Sequence, residues 1–202
     1  MINLLTIGID DGYFTQEFKE LRLKTLLVGV LCAGKKPEDI KISIVTVDGL
    51  DGTSRALEII KELGKEPTTS IKAIFLDGVT IAGFNFIDPE EVSTQTGIPV
   101  IVLFKTKLKL ERIRVALIKH FSDWRDRYEV IERNYKRARD IITLRKNLRV
   151  SSYGLSLDEA SNLISALQHV STVPEPLRLA DLIASELTRR TRILSILKQR
   201  FP

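Results

Sequence analysis

Lys24-Thr25-Leu26-Leu27-Val28-Gly29-Val30-Leu31-Cys32 is an apolar strand, Ala33-Gly34-Lys35-Lys36-Pro37 is a turn, and Ile40-Lys41-Ile42-Ser43-Ile44-Val45-Thr46-Val47 is a second strand. A connection that short permits only an antiparallel hairpin. Upstream, Leu4 to Ile9 forms another short strand that ends in Asp10-Asp11-Gly12. Downstream, Asp48-Gly49-Leu50-Asp51-Gly52 breaks the chain, and Ala56, Leu57, Ile59, Ile60 and Leu63 space a helix over Thr53 to Leu63, stopped by Gly64. Ala73 to Leu76 is continuously apolar and runs into Asp77-Gly78, as a buried parallel strand would. Asp88-Pro89-Glu90-Glu91 carries the cap signals of a helix over Pro89 to Thr96, and Val100 to Leu103 is a fifth strand. Beyond it the pattern predicts only helices: Leu108 to Phe121, Trp124 to Arg145, Asp158 to His169 and Pro176 to Lys198.

The order β-β-β-α-β-α-β followed by helices predicts an α/β fold of RNase H-like type, a mixed β-sheet flanked by helices, as one domain over residues 1–202. A doubly wound nucleotide-binding sheet would lack the opening hairpin. The chain also has no Gly-x-Gly-x-x-Gly or Gly-Lys-Ser/Thr loop.

Hydrophobic residues make up 44% and charged residues 28%, which excludes a disordered tail. A lone cysteine, Cys32, can form neither an internal disulfide nor a zinc cage, and reads as a small core residue. No apolar run approaches the roughly 18 residues needed to span a bilayer, and Met1-Ile2-Asn3 lacks a signal-peptide n-region. A cytoplasmic protein without membrane contact is expected.

Charge is segregated. Residues 1–103 carry 10 basic and 15 acidic side chains, whereas residues 104–149 carry 15 and 6. The second segment interleaves Trp124, Tyr128 and Tyr135 with its cations, the pattern of a polyanion footprint. Arg125, Arg127, Arg133, Lys136 and Arg137 are the candidate phosphate contacts, with Trp124 or Tyr128 near a base. The competing reading is a solvated face whose arginines pair with Glu111, Asp126, Glu129 and Glu132.

Asp10, Asp77 and either Asp48 or Asp51 each fall at or near the end of a strand, beside glycine. Converging carboxylates repel one another unless a hard cation neutralises them, so the trio suggests a Mg²⁺ or Mn²⁺ phosphodiesterase site. Taken singly, each aspartate is explained by helix capping or an Asp-Gly turn.

Val173-Pro174-Glu175-Pro176-Leu177-Arg178-Leu179-Ala180-Asp181, preceded by Ser156-Leu157-Asp158-Glu159-Ala160, is similar to the Leu-Pro-Glu-Pro-Thr-Arg-Leu-Ala-Asp and Ser-Leu-Asp-x-Ala stretches of endonuclease V. Gly8-Ile9-Asp10, Phe75-Leu76-Asp77-Gly78 and Gly97 to Lys105 resemble that family's strands. The likeness covers most of the chain and leaves out a basic helical insertion at about 106–149. It is closer still to an archaeal sister family labelled endonuclease dU. The resemblance implies a metal-dependent nuclease that incises nucleic acid near deaminated bases, with Asp10 and Asp77 as metal ligands and Lys105 in the active site. It leaves the third carboxylate open between Asp51, slightly favoured, and Asp48, because the family's Tyr-Ile-Pro-Gly wedge and Arg-Glu pair are missing. Tyr153 stands where the family has a catalytic histidine, so it is expected near the carboxylates without acting as ligand or general base, since its pKa is about 10. His120 and His169 read as surface or capping residues, and Asp181 as a brace for Arg178. The expected function is a Mg²⁺- or Mn²⁺-dependent endonuclease on deaminated DNA, in preference to RNA, with uracil foremost and hypoxanthine and xanthine as further bases. The alternatives are a binding module derived from this fold and a protein-interaction domain.

Overall fold

The computed structural model describes residues 4–64, 70–190, 193, 196 and 197. β1 (Leu5–Asp11), β2 (Lys24–Ala33) and β3 (Lys36–Thr46) form the expected antiparallel meander, with α1 (Gln16–Glu20) in the first connection. α2 (Gly52–Leu63) crosses to β4 (Ile71–Asp77), parallel to β1. A small hairpin of β5 (Thr80–Ile81) and β6 (Asn85–Phe86) precedes α3 (Pro89–Thr96), which leads to β7 (Val100–Phe104), parallel to β4. α3 begins as its sequence requires: Asp88 caps it by accepting from the Glu90 amide, Pro89 opens it, and Gly97 ends it in the left-handed region.

The segment after β7 departs from the all-helical expectation. α4 (Leu110–His120) and α5 (Trp124–Arg137) are followed by β8 (Arg139–Ile141) and β9 (Leu148–Tyr153). β9 pairs antiparallel with β7, giving one seven-stranded sheet in the order β3-β2-β1-β4-β7-β9-β8. The helix expected to reach Arg145 therefore stops at Arg137, where Ala138 turns extended. Burial decides the matter: Leu148 and Val150 lie in the core of the sheet, while β8 is an edge that tolerates exposed Arg139 and Asp140. The proposed insertion is accordingly not helical throughout, because β8 and the start of β9 belong to the sheet. α6 (Leu157–Leu167) and α7 (Glu175–Arg189) complete the chain as described, with Lys198 outside the described residues.

Alternation along the strands splits the core into two layers. Phe75, Ile101, Leu103 and Val150 face Ile164 and Leu167 of α6 and Leu177 of α7. Ile74, Leu76, Val100 and Val102 face the other way, where the core includes Ile59, Val92 and Ile131 of α2, α3 and α5. Each such side chain fully buried contributes about 2 kcal/mol, so packing, more than capping, fixes the helices against the sheet. Cys32 is fully buried in this core and burial pushes its thiol up to about 12, in keeping with a core residue and not a nucleophile. No helix among the described residues is long and apolar enough to cross a membrane.

Candidate active site

Parallel pairing of Ile9 with Leu76 brings the next residues, Asp10 and Asp77, side by side where β1 and β4 end. Leu103 on β7 pairs with Asp77, so Lys105, two residues on, emerges on the same face and at the same rim. Its ammonium forms an ion pair with the Asp77 carboxylate. Three strands thus deliver two carboxylates and one cation to one edge of the sheet.

A fourth group comes from α7. A Cβ on Gly8 would overlap the backbone of Pro176 and Leu177, and one on Gly12 would overlap Thr188 and approach the Ala184 carbonyl. α7 therefore lies directly on β1, passing Gly8 near Leu177 and Gly12 near Ala184. Asp10 lies between the two glycines on that face, and Asp181 lies between Leu177 and Ala184 on the same stripe of the helix. The charge of Asp181 acts on Asp10, Asp11, Asp77 and Lys105. Its expected role as a brace for Arg178 is not what the structure shows: Arg178 is held by Glu175, at 2.6 and 2.8 Å. Replacing Gly8 by alanine should lift α7 off β1, costing about 1–3 kcal/mol as overpacked sites do. Thermal melting together with the loss of Asp181 from the rim in a crystal structure would check it.

The field at this rim is negative. Burial, with the nearby carboxylates of Asp11 and Asp77, pushes Asp10 well above the usual carboxylate range, although its Oδ1 accepts the Asp11 amide at 2.9 Å. Burial lifts Asp11 to about 6 against the bond its carboxylate accepts from the Ala82 amide. Burial also raises Asp77, less so because Lys105 opposes it. Burial alone would lower Lys105, but Asp77 more than offsets this and holds the ammonium above its ordinary value. The sign for stability follows from linkage. Raised carboxylates bind protons more tightly folded than unfolded, so their contribution is full below about pH 4 and is lost as pH rises through the folded-state value, about 6 for Asp11. In EDTA, the stability gained by Asp10→Asn over wild type should therefore be larger at neutral pH than at about pH 4, as denaturant melts at the two pH values would show.

Asp48 and Asp51, the expected third carboxylate, are used elsewhere. Asp48 has φ 56°, and its carboxylate accepts the Phe84 amide at 2.7 Å beside Gly83. Asp51 accepts from the Thr46 amide and hydroxyl and from Asn85 Nδ2 at 2.7 Å, which ties the β3–α2 loop to the β5–β6 hairpin. Loop groups thus hold the Asp51 carboxylate at both oxygens and the Asp48 carboxylate at Oδ1. Tyr153 also differs from expectation, since it pairs with Val100 at the start of β7, the sheet end opposite Lys105. Its buried hydroxyl donates to Asn134 at 2.8 Å and Arg137 stacks on its ring. His120 ends α4 and His169 follows α6. Among the described residues no three acidic, histidine or cysteine side chains are gathered as a ready cation cage.

The basic cluster of α5 is mostly a set of struts. Arg127 is only 3% exposed, bonds Asp123 through two nitrogens, donates to the Gly49 and Phe84 carbonyls at 2.9 and 2.7 Å, and stacks on Phe121. It cannot reach a phosphate. Arg133 joins Asp88 at 2.7 Å and lies within ion-pair distance of Glu90 and Glu129. Lys136 pairs with Glu132, which also accepts from Tyr128, and Arg137 donates to the Ser152 carbonyl. Arg125 is exposed over the Trp124 ring.

The geometry can be set beside known proteins. A family model described as endonuclease dU matches residues 3–188. The UPF0215 protein of Methanothermobacter thermautotrophicus is 38% identical over 183 residues, covering 90% of this chain and 86% of that protein. The UPF0215 protein of Thermococcus sibiricus is also 38% identical, covering 89% of each. A protein of unknown function from Archaeoglobus fulgidus superposes with a TM-score of 0.73 at 27% identity, over 91% of this chain and 97% of that one. Endonuclease V of Ciona intestinalis, in complex with a 24mer DNA containing an inosine followed by a ribo-adenosine, superposes with a TM-score of 0.59 at 15% identity, over 96% and 87%. At that identity the likeness shows the fold: the RNase H-like, endonuclease V-like sheet is present.

Proposed function

The chain belongs to the endonuclease dU family, and from that premise we propose that it is a divalent-cation-dependent endonuclease acting on deaminated DNA, in preference to RNA. Family and fold together point to a nuclease on nucleic acid. The observation that carries the finer reading is the placement of Asp10 beside Asp77, with Lys105 and Asp181 around them.

The donors fit a hard cation. They are carboxylate oxygens, the class that Mg²⁺ and Mn²⁺ take, and the raised Asp10, Asp11 and Asp77 mark a field that one lysine leaves unneutralised. Asp10 and Asp77 would hold the ion, with Asp181 as the further carboxylate within reach of the same rim. A bound ion supplies charge neutralisation and polarises the scissile phosphate. Lys105 donates to a phosphate oxygen as negative charge builds there, a role for which its firmly held proton suits it. Uracil is the foremost base, followed by hypoxanthine and xanthine. A cytoplasmic repair role accompanies this reading.

A second reading is a nucleic-acid-binding module of the same fold, favoured by the ion pair in which Lys105 already occupies Asp77. Incision of uracil- and hypoxanthine-containing duplexes with Mg²⁺ or Mn²⁺, by wild type and Asp77→Ala, separates the two. Cation-dependent cutting that Asp77→Ala loses supports the nuclease. Binding without cutting on every deaminated duplex supports the module.

A further inference from the structure

Beyond Lys105 the rim changes sign. Phe104 at the end of β7 pairs with Arg149 of β9, and Arg149 pairs with Asp140 of β8, so β9 begins and β8 ends at the same edge as the carboxylates. Between them lies a cavity of about 320 Å³, lined by Lys105, Lys107, Asn147 and Arg149 over Phe104 and Tyr135. Lys105 belongs to both places: its ammonium reaches Asp77 and its chain walls the cavity. We infer that this cavity seats a backbone phosphate of the nucleic-acid strand, next along the strand from the scissile phosphate at the Asp10–Asp77 rim, with Arg149 and Lys107 as its binding residues.

Three features support a phosphodiester as the occupant. First, the lining carries three cations against one carboxylate, Asp140, which is itself largely exposed. Second, Arg149 is positioned but not satisfied. Its guanidinium lies 4.8 Å from the Tyr135 ring centre, which is braced edge-on by Phe104 at 5.3 Å, and the Tyr135 hydroxyl is fixed by the Leu108 amide. Yet its polar contacts are long, 3.4 Å to Asp140 and 3.5 Å to the Tyr135 carbonyl, and its Nε is buried without a hydrogen-bond partner. A planar fork seated on an aromatic ring and bound only by long contacts at its terminal nitrogens is suited to an incoming oxyanion. Third, the exposed Lys107 stands next to the loop that bears the exposed Arg145 and Lys146, extending the positive rim away from the acidic site. The strand would thus run along the sheet edge from β1 and β4 across β7 to β9, and not over the charge-paired outer face of α5.

This inference deepens the nuclease reading and its test is kept separate from cleavage. Binding of a fluorescent single-stranded DNA oligonucleotide containing uracil is measured in EDTA across a salt series, for wild type, Lys107→Gln/Arg149→Gln and the exposed-site variant Lys107→Glu. Loss of this one phosphate contact should flatten the slope of log K against log salt by about 0.7, the value for one phosphate on a single strand. Affinity at low salt should fall at least tenfold in the double variant while Mn²⁺ binding is unchanged. If the double variant fails to fold, Lys107→Glu must still weaken binding and flatten the slope. Wild-type slope and affinity in a folded variant would overturn the phosphate seat, even where wild type cleaves in an Asp77-dependent way. Conversely, reduced binding in the variants alongside a wild type that cuts nothing would overturn the nuclease reading and leave the seat standing.

Discussion

Exchanging Asp77 for asparagine is expected to reduce incision on the order of 10³-fold, because several kcal/mol of charge stabilisation at the phosphate go with the cation and each 1.4 kcal/mol is a factor of ten. The substitution preserves volume and removes a carboxylate that burial already disfavours as a charge, so the fold should not weaken for that reason. Two consequences separate it from general damage. Lys105 loses its ion-pair partner, and its raised pKa should fall towards or below its ordinary value, since burial alone lowers it. Oligonucleotide affinity in EDTA should not fall with the rate, because Arg149 and Lys107 are unchanged and a negative charge is removed beside Lys105. Steady-state incision, anisotropy binding and melting on the same preparation measure all three. A variant that melts as wild type and cuts as wild type would remove Asp77 from the chemistry.

The second large effect is structural. Arg127→Ala should destabilise the protein by about 3–5 kcal/mol, the range for breaking a buried charged pair, which for a chain of this size corresponds to a melting temperature lower by roughly 6–20 °C. The Gly49 and Phe84 carbonyls would lose their charged donor, Asp123 its partner, and Phe121 the guanidinium stacked on it. Those carbonyls belong to the two loops that Asp48 and Asp51 also stitch together, so the damage should spread to the rim near Ala82. Arg125→Ala, at an exposed position, should change melting by less than about 0.5 kcal/mol. Calorimetric melting of the pair shows whether the basic face of α5 is scaffold, as its contacts indicate. Equal, small effects would return Arg127 to the surface.

The contrast between these two sites explains what was legible in the sequence. Asp10 and Asp77 announce themselves because each ends an apolar run before a loop, and strand pairing then has to place them together. Asp48 and Asp51 carry the same local signal, but their carboxylates are taken by amides of residues 46 and 84 and by Asn85, partners that no local pattern reveals. Asp11 was legible only as part of an Asp-Asp-Gly end; its bond to the Ala82 amide is 71 residues distant. Asp181 had a usable signal, since Leu177, Asp181, Ala184 and Thr188 share a helix stripe and Gly8 and Gly12 leave room for a close helix. Reading it required knowing that α7 lies on β1. β8 and β9 were missed because Arg139, Arg145, Lys146 and Arg149 resemble a solvated helix face, and only pairing with β7 makes Leu148 and Val150 core residues. Tyr153 is expected near the carboxylates only from its resemblance to the family's histidine position, and its pairing with Val100 puts it at the other end of the sheet.

The claim on which everything else depends is that Asp10 and Asp77 together hold one divalent cation. Calorimetric titration of Mn²⁺ into wild type, Asp10→Asn and Asp77→Asn, without nucleic acid, tests it most directly. One ion per chain is expected in wild type and none in either variant while all three remain folded. Undiminished Mn²⁺ binding in both variants, or no binding by wild type, would contradict it.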